Sequence, residues 1–220
     1  MRKLSFIVML LLICSCGSKQ QIPEWKDKSS RQLESYKNYF LTDKESVLEP
    51  HFVRARKTVA SSNDLNLLAT VYLTSYALHV SVLDDFDDTD FLQINKLQPD
   101  SSAFAYYNFI KGNFSAADYM YLPSAYRSLL LLARNNDLLS AVREIKSISD
   151  PLSRIVACGV WVKYLPYDDN ILLIAIDTSA EHGWVRPLFA YLTRLQQYYL
   201  DHQEPVKAQN IKERLELLRK

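Results

Sequence analysis

The sequence predicts an all-α body built from helical hairpins, and three observations carry that expectation. The 220 residues contain 4 glycines, Gly17, Gly112, Gly159 and Gly183, where about 7% is usual. So few argue against a turn-rich all-β domain. Their isolation excludes a phosphate-cradling loop or a dinucleotide fingerprint, which need several glycines within a few residues. Pro123, Pro151, Pro187 and Pro205 each stand where a helix can begin, a place that tolerates proline because its missing N–H has no partner there anyway. Ala141, Ala175 and Ala208 recur at spacings of 34 and 33 residues, and small side chains at such a spacing let neighbouring helices approach closely.

In chain order, the first sixteen residues stand apart. Arg2 and Lys3 precede an apolar stretch, Leu4 to Ile13, broken only by Ser5. A charged start, a short apolar run and small residues after it read as an export leader. The run is too short for a transmembrane helix, which needs about 20 apolar residues. From Trp25 onward the pattern is helical. Asn63-Asp64 caps a helix running to about Leu83, with Leu65, Leu68, Tyr72 and Tyr76 on one face and Leu67, Val71, Leu73 and Leu78 on others. Apolar cover on several faces marks a central helix. Gly112-Asn113, Asn135-Asn136-Asp137 and His202-Gln203 read as tight turns. Asp150 reads as the N-cap before Pro151. Together these divide the chain from Pro123 onward into three hairpins, 123–148, 151–182 and 185–218. Arg154 to Leu165 and Ile171 to Ile176 are rich in Val and Ile, and such short runs fit strand or helix by periodicity alone. Their helical flanks favour helices. Ala208, Ile211, Leu215 and Leu218 then make one apolar stripe on a final amphipathic helix.

Two resemblances add to this reading. Ile13, Cys14, Ser15 and Cys16 resemble the lipobox of bacterial lipoproteins: an aliphatic residue, a variable position, a small residue and Cys. The resemblance implies that residues 1–15 are a cleaved leader, that Cys16 carries the acyl chains, and that 16–24 tether a helical body, 25–220, to the membrane. Two or more chains are what stable anchoring requires. Gly17 after the Cys implies sorting to the outer membrane, facing the periplasm, in a Gram-negative cell. The hairpins resemble tetratricopeptide repeats, whose unit is a helix pair of about 34 residues. The final pair fits best, through Leu195, Tyr199 and Ala208, and departs at Gln196 and Lys212. The implied architecture is a tetratricopeptide-like α-solenoid.

Composition and motifs exclude more chemistry than they offer. Lys+Arg 26 against Asp+Glu 25 is not the balance of a nucleic-acid binder. With the leader removed and Cys16 acylated, Cys158 is the remaining thiol, so no intramolecular disulfide is expected. Its apolar surroundings make it an inert buried thiol rather than a nucleophile paired with His182. His51, His79, His182 and His202 are scattered, and none forms a His-Glu-x-x-His metal motif. The acidic run Asp84 to Asp90 fails as a calcium loop. Counted from Asp85, the Gly and Glu positions hold Asp90 and Lys96, so the run reads as a solvated loop between helices. No Gly-x-Ser-x-Gly elbow is present. No cofactor and no metal are expected.

Glu34-Ser35 and Glu45-Ser46 match the catalytic dipeptide of lytic transglycosylases, a family that includes helical outer-membrane lipoproteins. Its Gly-Leu-Met-Gln segment has no counterpart here. Cell-wall cleavage is therefore the second reading, and a purely structural lipoprotein the third. The first is binding. Tyr 14 and Phe 9 are generous for this length, and consecutive aromatics on a helix point about 100° apart, so they cannot all face one core. Tyr106, Tyr107, Phe109, Tyr119, Tyr121 and Tyr198 are the candidates for a groove that holds a protein partner of the envelope.

Overall fold

Eleven helices and no strand make up the described residues, 24–219, of the computed structural model. They are α1 (Glu24–Leu41), α2 (Glu45–Ala60), α3 (Leu65–Ser81), α4 (Thr89–Leu97), α5 (Ser101–Ile110), α6 (Ser124–Arg134), α7 (Leu138–Ser147), α8 (Pro151–Tyr164), α9 (Asp169–Glu181), α10 (Val185–Asp201) and α11 (Pro205–Leu218). The expected leader, the expected acylation site Cys16 and the expected tether as far as Pro23 lie outside the described residues.

Local chemistry starts and stops these helices where the sequence indicates. Asp64, Asp100, Asp137 and Asp150 cap α3, α5, α7 and α8, each accepting first-turn backbone N–H bonds that would otherwise lack a partner. Pro151 and Pro205 open α8 and α11. Pro187 falls inside the first turn of α10, which begins two residues earlier. Left-handed residues close several of the turns: Asp43, Asn63, Leu83, Asn136 and Gln203 among the non-glycines, with Gly112 and Gly183. This is how the chain manages with so little glycine. Asp and Asn are among the side chains that tolerate the left-handed conformation best.

The pairs α6–α7, α8–α9 and α10–α11 are the three hairpins expected from 123 to 218, and successive pairs pack on one another. Ala141, Ala175 and Ala208 are all buried on the second helices of their pairs. The two stretches open to either assignment, 154–165 and 171–176, are helical except for Leu165, which ends α8. Ile155 to Val162 are buried on every side of α8, so their β-branched character reflects full burial, not a strand.

The centre of the molecule is the crossing of α3 and α8. A Cβ on Gly159 would stand 2.1 Å from the Val80 carbonyl oxygen and 2.8 Å from its carbon, so only glycine permits the two backbones to approach this closely. Trp161 is buried beside that crossing and donates its indole N–H to the Pro166 carbonyl at 2.8 Å. The amino-terminal hairpin α1–α2 joins through a smaller core of Tyr36, Phe40, Leu41, Leu78 and Val82. A hydrogen bond of 2.8 Å between the Tyr36 and Ser75 hydroxyls fixes α1 to α3.

The acidic run is the exposed loop between α3 and α4 that the sequence indicates, and it also carries cross-links to the body. Lys163 on α8 donates to the Leu83 and Asp84 carbonyls and to Asp85 Oδ1, at 3.2, 2.6 and 2.8 Å. Asp88 accepts from Lys111 Nζ at 2.6 Å and from the Tyr107 hydroxyl at 2.8 Å. The Lys111 ammonium beside it, more than any other cause, holds the Asp88 carboxyl below its ordinary value.

Candidate functional site

Four helix amino termini, those of α3, α5, α6 and α8, meet around an open-sided cleft of about 530 Å³. Its floor is apolar, with Leu73, Ala77, Leu152 and Val156 at its base and Tyr106 and Tyr126 along one side. Its rim is polar, carrying Thr70 and Thr74 on α3, Ser102 on α5, and Lys26 and Lys37 from α1. The converging amino termini do not make an anion site. At three of them the positive end is met by the helix's own aspartate: Asp64 accepts from Leu67 N at 3.0 Å, Asp100 from Ser102 N and Ala103 N at 2.8 and 3.0 Å, and Asp150 from Ser153 N at 2.7 Å.

Tyr106 and Tyr126 stack with ring centroids 5.7 Å apart. Burial pushes the Tyr126 hydroxyl up to about 12, against the opposing pull of hydrogen bonds with Ser153 and Tyr106. Burial likewise pushes Tyr106 well above its ordinary value, with Tyr126 adding to it. Both phenols are therefore neutral across the physiological range and act here as amphipathic walls.

The expected site residues separate into three groups. Tyr106 lines the cleft, half-buried. Tyr107 and Phe109 do not belong to a binding surface. Phe109 is fully buried against Tyr126 and Phe114, and Tyr107 is buried with its hydroxyl committed to Asp88. Both face the core because α5 is buried over most of its second half, so the adjacent aromatics there are shared among several neighbours. Tyr119 and Tyr121 are exposed on the loop before α6. Tyr198 packs elsewhere, stacked on His202 at 4.0 Å and beside Tyr167 at 5.9 Å.

The cleft also recruits residues that the sequence reading did not single out as site residues: Lys26, Thr70, Thr74, Asp100 and Leu152. Asp100-Ser101-Ser102 carries the same kind of capping signal as Asp150-Pro151, and that is the one local trace of the site.

Among the described residues no cluster of His, Cys, Asp and Glu is arranged to hold a metal ion. None of the described helices is long and apolar enough to cross a membrane. Cys158 is fully buried, and burial pushes its thiol far up. Of the two Glu-Ser pairs, Glu34 lies exposed and bonded to Lys37 at 2.6 Å. Glu45 opens α2, and its side chain lies outside the described residues. Comparison with known proteins returns no matching family model, no matching curated protein and no matching solved structure.

Proposed function

We propose that this chain is an acyl-anchored outer-membrane lipoprotein, held through Cys16, whose periplasmic helical body docks a segment of an envelope protein in the α3–α5–α8 cleft. Its hairpins are read as degenerate repeats of a tetratricopeptide-like solenoid, an architecture that makes extended grooves. Holding a client beside the membrane raises its local concentration, as a scaffold or assembly factor requires.

The cleft carries this reading. It has the volume range of recognition pockets, an apolar floor and a few convergent polar groups. Its carboxylates favour docking over acid catalysis of glycan cleavage, because Asp64, Asp100 and Asp150 are each tied to backbone N–H groups of their own helix. A general acid must instead carry a proton beside the glycosidic oxygen. The occupant that suits it is a short segment with an apolar side chain for the floor and polar or cationic flanks for the carboxylate oxygens at the rim.

The test is in-cell photo-crosslinking from Thr70, on the rim, compared with Glu213 on the exposed side of α11. The expected outcome is a discrete envelope protein captured from Thr70 alone, and lost when Thr74→Arg fills the cleft. The same abundant proteins from both positions would remove docking as the function. For the anchor, Cys16→Ala is expected to release the protein from membranes, and continued fractionation with them would place the anchor elsewhere.

A further inference from the structure

The loop between α5 and α6 presents Tyr119, Met120 and Tyr121 to solvent at 37, 69 and 51% exposure, while Ala117 and Leu122 on either side are buried. Three consecutive large apolar side chains pointing outward are costly unless something covers them. The loop that carries them is well braced. Arg127 donates to the Leu122 carbonyl at 2.8 Å and to the Met120 carbonyl at 3.0 Å, with its guanidinium 6.0 Å from the Tyr119 ring centre. Arg134 donates to the Phe114 and Ala117 carbonyls at 2.9 and 2.6 Å. Met120 N donates to Asp118 Oδ1, and Leu122 N to the Asp118 carbonyl.

We propose that this tip is a second membrane contact, seated at the boundary between lipid headgroups and acyl chains beside the lipidated amino terminus. The proposal rests on the anchoring reading above. Three observations favour a lipid surface as the occupant. Arg127 and Asp118 hold the backbone N–H and carbonyl groups of Met120 and Leu122 from the protein side, and the backbone of Tyr119 and Tyr121 keeps to the hydrated headgroup level, so the contact is interfacial rather than an insertion into the acyl core. Tyr suits that boundary because it has an apolar body and a polar end, and Met is a flexible apolar filler.

The third observation is placement. Pro123, two residues after Tyr121, and Lys26, two residues after Glu24, line the same cleft. The start of α6 that follows the tip and the point where the chain enters the body therefore border one opening, while Tyr119 to Tyr121 themselves stand outside its lining. Cys16 precedes Glu24 by eight residues, a reach of at most about 30 Å when fully extended. Lys26 and Lys28 beside that entry are exposed alongside Glu24 and Asp27, so the entry is balanced in charge and the contact rests on the apolar tip. Seated this way, the tip turns the cleft toward the bilayer surface and sets the orientation of the body.

The experiment uses the full acylated chain reconstituted into phosphatidylethanolamine–phosphatidylglycerol vesicles. A fluorophore is attached at Met120→Cys or, as the control, at Leu217→Cys, which is 68% exposed on α11. Cys158 is buried and escapes labelling in the folded protein. Nitroxides at shallow depth in the lipid are expected to quench the label at 120 several-fold more than that at 217. Changing Tyr119 and Tyr121 together to Ser should reduce this difference while the acyl chains keep the protein floating with the vesicles. Equal quenching at the two positions in floating protein would overturn the membrane contact and leave the anchor standing. Shielding of position 120 that needs an added envelope protein rather than lipid would overturn it in favour of a protein surface. Failure of the acylated chain to float would remove the anchor, and the tip's role with it.

Discussion

The two halves of the molecule solve the same packing problem differently. From Ser124 to Leu218 three helix pairs follow one another, each with a buried alanine on its second helix; of the three leading helices α8 alone is capped by a side chain, and the first and third pairs turn through a left-handed residue. From Glu24 to Pro123 nothing repeats. A long hairpin with its own small core leans on α3, two short helices follow, and an arginine-braced loop closes the half. The cleft forms at the seam, where the irregular half supplies α1, α3 and α5 and the regular half supplies the first turns of α6 and α8. Smaller hollows lie within the paired half as well, between α7, α8 and α9 and between α6 and α7, and the larger cleft needs both halves. It appears where the stack ends against elements that do not continue it.

The sharpest test of this contrast sits within one aromatic family. Phe109→Ala empties a fully buried site and is expected to cost about 3–5 kcal/mol, lowering the thermal midpoint by about 10 °C. Tyr121→Ser on the exposed tip is expected to stay within about 0.5 kcal/mol. Thermal melts of the two variants check this, and a reversed order would return Phe109 to the binding surface.

The seam itself is tested by Gly159→Ala. The added methyl meets the Val80 carbonyl, so α3 and α8 must separate, at a cost of about 3 kcal/mol by denaturant unfolding. An unchanged midpoint would mean that the crossing is looser than the geometry requires. A smaller loss, about 2 kcal/mol, is expected for Lys163→Met, which leaves two carbonyls and Asp85 without their cation. That measurement reads what the Lys163 cross-link adds to the loop.

The smallest effect is acid sensitivity. Asp88 is held below its ordinary value chiefly by Lys111. Its contribution to stability is therefore present above the unfolded-state value of about 3.9 and is lost as pH falls through the lower folded-state value. Stability measured against pH should decline below about pH 4, and Asp88→Asn should make that decline shallower. An identical acid profile in the variant would show that the Asp88–Lys111–Tyr107 bridge adds nothing to folding.

Much of the fold was legible because its signals are local. The Asp64 and Asp150 caps, the Asn135–Asp137 and His202-Gln203 turns and the three hairpins depend on residues within a few positions of one another. The site was less legible because its parts are distant in sequence. The cleft is lined by residues from Lys26 on α1 to Val156 on α8, and outside it the acidic run is likewise held by distant partners, Lys111 and Tyr107 for Asp88 and Lys163 for Asp85. Tyr107 and Phe109 were grouped with Tyr106 because adjacent aromatics on a helix must diverge. That argument is sound about divergence, but it does not say which of them the neighbouring helices cover.

By itself, the sequence determined that the body is helical, where most helices begin and turn, and which alanines face inward. Those choices follow from backbone sterics, capping and amphipathic period, which act over one or two turns. Tertiary structure alone decided that α3 and α8 cross at Gly159, that the acidic run carries cross-links to the body, and that a cleft opens between four helix ends. These depend on which surfaces meet, and that is set by the packing of elements as much as a hundred residues and more apart in the chain.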